Sequence, residues 1–285
     1  MTNAKIIDGK AIAHKLRQDI AKEVLQLKHS DNITPGLAVI LVGEDPASKL
    51  YVKNKIIACK AVGMNLFESY LEESISEDKL ISEIDQLNHN PNIHGILVQL
   101  PLPAHINPIK VINAISPKKD VDGFTASNFG KLVTGQDCFI PCTPQGCLIL
   151  IKTIIDDLRG LNALVIGRSN IVGKPMLHVL LQENCTVTIA HSYTKNLPEL
   201  CKKADILIAA IGKENAIKGD WIKPGAIVID VGINYNYKRG ITGDVEFGKA
   251  AHHAKAISPV PGGVGPMTVT CLLRNTLKAA LRTQP

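Results

Sequence analysis

The feature that most constrains this chain is residues 164–175, L-V-I-G-R-S-N-I-V-G-K-P. Leu164, Val165 and Ile166 form a short apolar run of the kind that ends a strand buried in a parallel sheet. Gly167 permits a sharp turn, and Gly173, Lys174 and Pro175 open a helix, with proline early, where its missing N–H costs little. Strand, turn and helix in this order aim backbone N–H groups and the positive end of a helix dipole at one point, a geometry suited to phosphate. The spacing departs from G-x-G-x-x-G because Arg168 and Ser169 follow Gly167 directly. Taken alone, the stretch fits either a dinucleotide site or a plain structural turn.

Further stretches read as strands: 37–42 before Gly43, 66–71, 95–100 before Pro101, 186–190, 205–211 before Gly212 and 226–231 before Gly232. Helices alternate with them. Apolar residues at 12, 16, 20, 24 and 27 keep helical spacing, and further helices are predicted over 46–62, 76–87, 143–158 and 267–281. The alternation predicts an α/β fold of two domains with a cleft between them. An N-terminal α/β domain with a small parallel sheet is expected over 1–140. A C-terminal Rossmann-type, doubly wound domain is expected over 141–267. Residues 116–142 carry Pro117, Gly123, Gly130, Gly135 and Pro141 without convincing periodicity, and read as an ordered crossing between the domains.

Composition narrows the function. Aromatic residues make up 4% of the 285, which argues against stacking on single-stranded nucleic acid. The net charge of +6 is scattered rather than blocked, so it suits an acidic small molecule and forms no nucleic-acid stripe. No apolar run is long enough for a membrane span, and residues 1–8 lack a signal-peptide core. Seven cysteines, an odd number, suggest reduced thiols in a cytoplasm. Cys138, Cys142 and Cys147 stand at C-x3-C and C-x4-C, not the usual zinc spacing, and no metal is expected.

The cofactor reading turns on the second strand of the C-terminal domain. NAD-binding folds place an Asp or Glu about 20 residues past the first glycine, on the adenosine ribose. Here that strand ends in Ala190-His191-Ser192, with Lys195 close behind and no carboxylate. A 2′-phosphate would find Arg168, Ser192 and Lys195 or His191, and arginine suits phosphate through its planar fork of donors. The expected cofactor is therefore NADP. The alternative, that Arg168 and Lys195 are solvated surface charges, stays open on spacing alone.

Four further places carry candidate chemistry. Tyr51 and Lys55 are i and i+4 on one helix, so they share a face, and a partly buried lysine is a candidate proton donor. The same Y-x-x-x-K marks short-chain dehydrogenases, but there it follows the glycine turn, whereas here it precedes that turn by more than a hundred residues. Gln99 stands at the C-terminal end of a buried strand, before L-P-L-P. Asp120 and Asp122 lie in the crossing, where either faces a cleft or makes an Asx turn. Residues 259–266, P-V-P-G-G-V-G-P, alternate stiffness with absent side chains, which suits either a flat ring or a rigid linker.

Taken together, Y-x3-K at 51–55, V-Q-L-P-L-P at 98–103, K-D-V-D-G at 119–123, P-C-T-P at 141–144, G-R-S-N-I-V-G at 167–173 and P-V-P-G-G-V-G-P-M-T at 259–268 occur in this order. In that arrangement the chain closely resembles the bifunctional methylenetetrahydrofolate dehydrogenase/methenyltetrahydrofolate cyclohydrolase family, over nearly its whole length. The resemblance implies NADP-dependent oxidation of 5,10-methylenetetrahydrofolate to 5,10-methenyltetrahydrofolate, followed by hydrolysis to 10-formyltetrahydrofolate. It implies catalytic roles for Lys55, Tyr51, Gln99 and Asp122. Lys55 is the main catalytic group, chiefly for hydrolysis; Tyr51 stacks on the folate; Gln99 holds the lysine; Asp122 bonds the pterin. Val98, Leu100, Pro261 and Gly262 are implied to join these four around the folate. Gly167, Arg168, Ser169, Val172, Ser192, Gly212, Ile233 and Thr143 are implied cofactor contacts. It further implies that helix 268–285 returns to the N-terminal domain, that the protein is a homodimer, and that the folate is polyglutamylated and anionic. A dehydrogenase of shikimate or an amino acid would not need the P-G-G-V-G-P segment. A non-catalytic nucleotide sensor gives no reason for Tyr51, Lys55, Gln99 and Asp122 together.

Overall fold

The structure is a computed structural model, and it describes residues 4–236 and 240–283. The last two residues of the expected C-terminal helix, and the first three of the segment read for a signal peptide, lie outside the described residues. In chain order the first half comprises β1 (Lys5–Ile6), α1 (Gly9–Asp31), β2 (Gly36–Val42), α2 (Pro46–Ala61), β3 (Asn65–Leu71), α3 (Glu77–His89), β4 (Gly95–Val98), α4 (Pro108–Ala114) and α5 (Ala126–Val133). Then follow α6 (Cys142–Lys152), β5 (Asn162–Ile166), α7 (Gly173–Gln182), β6 (Thr186–Ala190), α8 (Leu197–Cys201) and β7 (Ile206–Ala209). The rest is β8 (Ile227–Asp230), β9 (Asn234–Asn236), β10 (Gly240–Thr242), α9 (Phe247–His253), β11 (Ala256–Ile257) and α10 (Val264–Leu281).

The chain divides into two compact units, residues 14–142 with 269–285, and residues 1–13 with 143–268. The first holds a three-stranded parallel sheet ordered β3-β2-β4. Its central strand β2, all apolar after Gly36, is buried throughout, whereas edge strand β3 alternates between partly buried and exposed positions. Ala38, Ile40, Val42, Ile96 and Val98 pack against Leu80 and Ile84 of α3 and Val111 of α4. At the start of β2, the Gly36 N–H donates to Nδ1 of buried His94 at 3.0 Å.

The second unit holds a six-stranded sheet ordered β1-β11-β8-β7-β5-β6, parallel throughout. β5 pairs with β6 on one side and β7 on the other, so the winding reverses at β5, the position where such sheets bind ligands. Ile166, Leu207, Val228 and Ile257 contribute to its core with Ile217 and Ala250.

Two expectations need correction. Residues 4–13, expected in the N-terminal domain, belong with the six-stranded sheet. Lys5 and Ile6 pair with Ala256 and Ile257, a strand too short to leave a periodic signal. The crossing at 116–142 is also not purely irregular. It contains α5, capped by the Thr125 hydroxyl, which accepts from Asn128 N–H at 3.2 Å.

Candidate active site

In the unit of the three-stranded sheet, α2 starts where Asp45 caps it, accepting from Ser48 N–H at 2.7 Å, with Pro46 at its first position. The helix carries Tyr51 and Lys55 one turn apart, both partly buried. Lys55 Nζ donates to Gln99 Oε1 at 3.0 Å. Gln99 directly follows β4, and its backbone N–H continues the ladder to Ile40 O at 2.9 Å. Its Nε2 donates to Leu100 O at 2.6 Å, so each end of the buried amide has its own partner. That pairing fixes which atom faces the lysine. Val98 is buried just before it, and Leu100 precedes Pro101 through a cis peptide bond.

The two aspartates of D-V-D-G have separate jobs. Asp120 is buried and accepts from Phe124 N–H at 3.1 Å, Thr125 N–H at 2.8 Å and Asn128 Nδ2 at 2.8 Å, which staples the loop. Asp122 lies within electrostatic reach of Lys55. Burial pushes its carboxyl up from the usual range, and the neighbouring lysine pulls it back. Between them and α5, Gly123 has φ +72°, and a Cβ there would lie 2.5 Å from Phe139 O.

Sequence reasoning missed what stands behind Asp122. Asn275, buried on α10, donates through Nδ2 to Val121 O at 2.8 Å and Ile140 O at 3.1 Å. Buried Cys142 points its thiol at Val121 O at 3.4 Å and interacts with Asp122, and burial raises its pKa well above the usual thiol value. The available signal was a single asparagine in the last helix, between Arg274 and Thr276, which spacing does not distinguish from a surface position. Cys142 was visible in P-C-T-P and in the cysteine spacing, neither of which points to Asp122. Among the described residues, no group of three or more His, Cys, Asp or Glu side chains is placed to hold a metal ion.

In the other unit, the turn after β5 folds back tightly on itself. Gly167 has φ +124°, and a Cβ there would lie 2.1 Å from Ala210 O; one on Gly173 would lie 2.1 Å from Gly167 O. Both positions therefore require glycine. The Ser169 hydroxyl accepts from Val172 N–H at 3.1 Å and Gly173 N–H at 3.4 Å, where α7 begins without a side-chain cap of its own. Arg168 is exposed, its guanidinium 5.7 Å from the centre of the Tyr193 ring. Ser192 is exposed just past β6, Gly212 just past β7 and Ile233 just past β8. All are therefore at strand C-terminal ends. Thr143 Oγ1 and Thr268 Oγ1 are 2.9 Å apart. Pro261 follows a cis bond, and Gly262 O accepts from Lys10 N–H at 2.9 Å. A side-chain-free turn, exposed hydroxyl and guanidinium donors, and no carboxylate beyond β6 fit a phosphorylated dinucleotide. Two buried carboxylates not foreseen from sequence, Asp230 and Asp244, brace the ends of β7 and β8.

Two domains of one family match the chain. The tetrahydrofolate dehydrogenase/cyclohydrolase catalytic domain matches residues 7–122, and the NAD(P)-binding domain of that family matches residues 141–284. The bifunctional protein FolD of Gluconobacter oxydans is 56% identical over 285 residues, covering 99% of this chain and 94% of its own. A crystal structure of the bifunctional FolD enzyme of Campylobacter jejuni is 44% identical with a TM-score of 0.97, covering 99% of this chain and 100% of that one. The Trypanosoma brucei dehydrogenase-cyclohydrolase, solved with NADP and an inhibitor, is 35% identical with a TM-score of 0.95, covering 99% of both chains. With its two domains matched over residues 7–122 and 141–284, and the glycine turn and lysine–glutamine pair in place, the chain belongs to the tetrahydrofolate dehydrogenase/cyclohydrolase family.

Proposed function

We infer that this protein oxidises 5,10-methylenetetrahydrofolate to 5,10-methenyltetrahydrofolate with NADP, and then hydrolyses that product to 10-formyltetrahydrofolate. The observation that carries the reading is the Lys55–Gln99 hydrogen bond at 3.0 Å, with Asp122 in electrostatic contact with the same amine. Bound NADP supplies a hydride acceptor. Gly167, Arg168, Ser169, Val172, Ser192, Gly212, Ile233 and Thr143 hold it, and Arg168 and Ser192 select the 2′-phosphate where NAD enzymes carry a carboxylate.

The oxidation needs little proton transfer, because a folate nitrogen lone pair drives the hydride out. Orientation of the bound partners is the chain's main contribution there, worth roughly 7–11 kcal/mol in well-aligned systems. Hydrolysis needs protons moved as water adds and a ring nitrogen leaves. Lys55 Nζ handles those protons, an effect of about 10²–10⁴-fold for positioned groups. Gln99 takes one N–H of the amine and aims the others. Asp122 binds the pterin, Tyr51 stacks on it, and Val98, Leu100, Pro261 and Gly262 line the folate's site. The same reading divides the work between a folate domain near 14–140 with the last helix, and an NADP domain near 141–267 with the first strand. It gives a homodimer in the cytoplasm acting on a polyglutamylated folate. The charge of +6 and seven unbridged, buried cysteines support the anionic substrate and the reducing compartment.

The test is an assay at two wavelengths, following NADPH formation and methenyltetrahydrofolate loss separately. Methylenetetrahydrofolate should reduce NADP faster than NAD, and added methenyltetrahydrofolate should hydrolyse without any nucleotide. Cofactor binding without either turnover would overturn the reading in favour of a nucleotide sensor.

A further inference from the structure

We propose that Asp244 is a positioning residue for the dinucleotide, holding the end of β7 in the shape the cofactor binds. The inference rests on the NADP site proposed above. Asp244 is fully buried. Its Oδ2 accepts from Ile211 N–H at 2.7 Å and Gly212 N–H at 3.0 Å, and its Oδ1 accepts from Lys213 N–H at 2.8 Å and Asn234 Nδ2 at 3.0 Å. Three consecutive backbone donors thus curl around one carboxylate, an anion nest filled by the chain's own side chain. Gly212, with φ +66°, completes the curl.

Asp244 is itself held from behind. Asp230, the last residue of β8, accepts from Asp244 N–H at 2.9 Å, Val245 N–H at 2.9 Å and Gly232 N–H at 3.0 Å. Its own N–H donates to Ser258 Oγ at 2.8 Å. Burial pushes the Asp230 carboxyl up to about 6, opposed by those three N–H donors. Neighbouring glycines make room for both acids. A Cβ on Gly232 would lie 2.2 Å from Asp244 Oδ1, and one on Gly243 would lie 2.0 Å from Asp230 Oδ2. The ends of β7 and β8 and the chain between β10 and α9 are therefore one braced unit.

The bracing bears on the cofactor because of what it leaves free. The inner side of residues 211–213 is turned to the carboxylate, while a Cβ added at Gly212 would meet nothing within 4 Å. Ile233, one residue past Gly232, is 41% exposed. The two exposed positions assigned to the cofactor at these strand ends are thus set by the two buried acids. Four donors converge on Asp244, so asparagine cannot replace it evenly: it keeps one carbonyl acceptor and turns an NH₂ toward backbone N–H groups.

The experiment compares Asp244→Asn with the wild-type chain by calorimetric titration with NADP and by cyclohydrolase turnover of methenyltetrahydrofolate without nucleotide. Loss of charge-assisted hydrogen bonds predicts an NADP Kd raised about tenfold or more. It also predicts a parallel rise in KM for NADP, with a much smaller change in cyclohydrolase kcat. Asn234→Ala, which removes only the side-chain donor, should raise Kd less and in the same direction, and it decides the matter if Asp244→Asn does not fold. A wild-type NADP Kd in the folded variant, or equal loss of both activities, would overturn the proposal. Failure of the wild type to bind NADP would instead overturn the proposed function.

Discussion

Gln99 shows how one side chain can fix the chemistry of another. Its carbonyl faces Lys55 and its NH₂ is spent on Leu100 O, so the amide cannot flip without leaving two donors facing each other. Arg168 is proposed to select the 2′-phosphate of NADP. On that proposal, replacing it with alanine should lower the ratio of NADP to NAD turnover sharply; an unchanged ratio would refute the assignment. His94 makes a prediction about pH. Desolvation, aided by the Lys119 charge, lowers its pKa, and its Nδ1 must stay unprotonated to accept from Gly36 N–H. A depressed folded pKa means stability that is present above the unfolded value near 6.5 and lost as pH falls through that range. The His94→Asn variant keeps an acceptor but cannot titrate. The gap in urea midpoint between wild type and variant should therefore shift against the wild type from pH 7 to pH 5. A gap constant with pH would contradict this.

At the scale of elements, β5, the turn at Gly167 and α7 act as one piece. Alanine at 167 would meet both a positive φ and the Ala210 carbonyl, with a strain cost of about 1–3 kcal/mol for the backbone alone. The Gly167→Ala variant should show a lower urea midpoint and weakened NADP binding by calorimetry, whereas wild-type values of both would show that the turn tolerates a side chain. This element was legible in the sequence because a buried apolar run, a glycine and an early proline each have one main structural use. The same holds for β2, β4, β7 and β8, whose apolar residues run unbroken. The short antiparallel pair β9 and β10, and β1, were not legible. Strands of two or three residues carry no period: β9 and β10 are defined only by each other, and β1 only by its pairing with distant β11. Asp120 and Asp122 illustrate the same limit at the site. Two residues apart in one motif, they differ in role through loop contacts that spacing does not encode.

For the whole molecule, two units have separate sheets and cores, one with Lys55, Gln99 and Asp122 and the other with the turn at Gly167, and the chain passes between the units within α1, at the start of α6 and within α10. The motifs of each set were readable in order along the sequence. The supports behind them were not: Asn275 lies more than 150 positions from Val121, and Asp244 braces strand ends over 30 residues away. Lys55 is proposed to serve the hydrolytic step more than the hydride step, and the two-wavelength assay on Lys55→Gln, with folding checked independently, tests this head-on. Cyclohydrolase activity should fall by at least about 10²-fold while a larger share of dehydrogenase activity survives. Equal loss of both activities in a folded protein would contradict it.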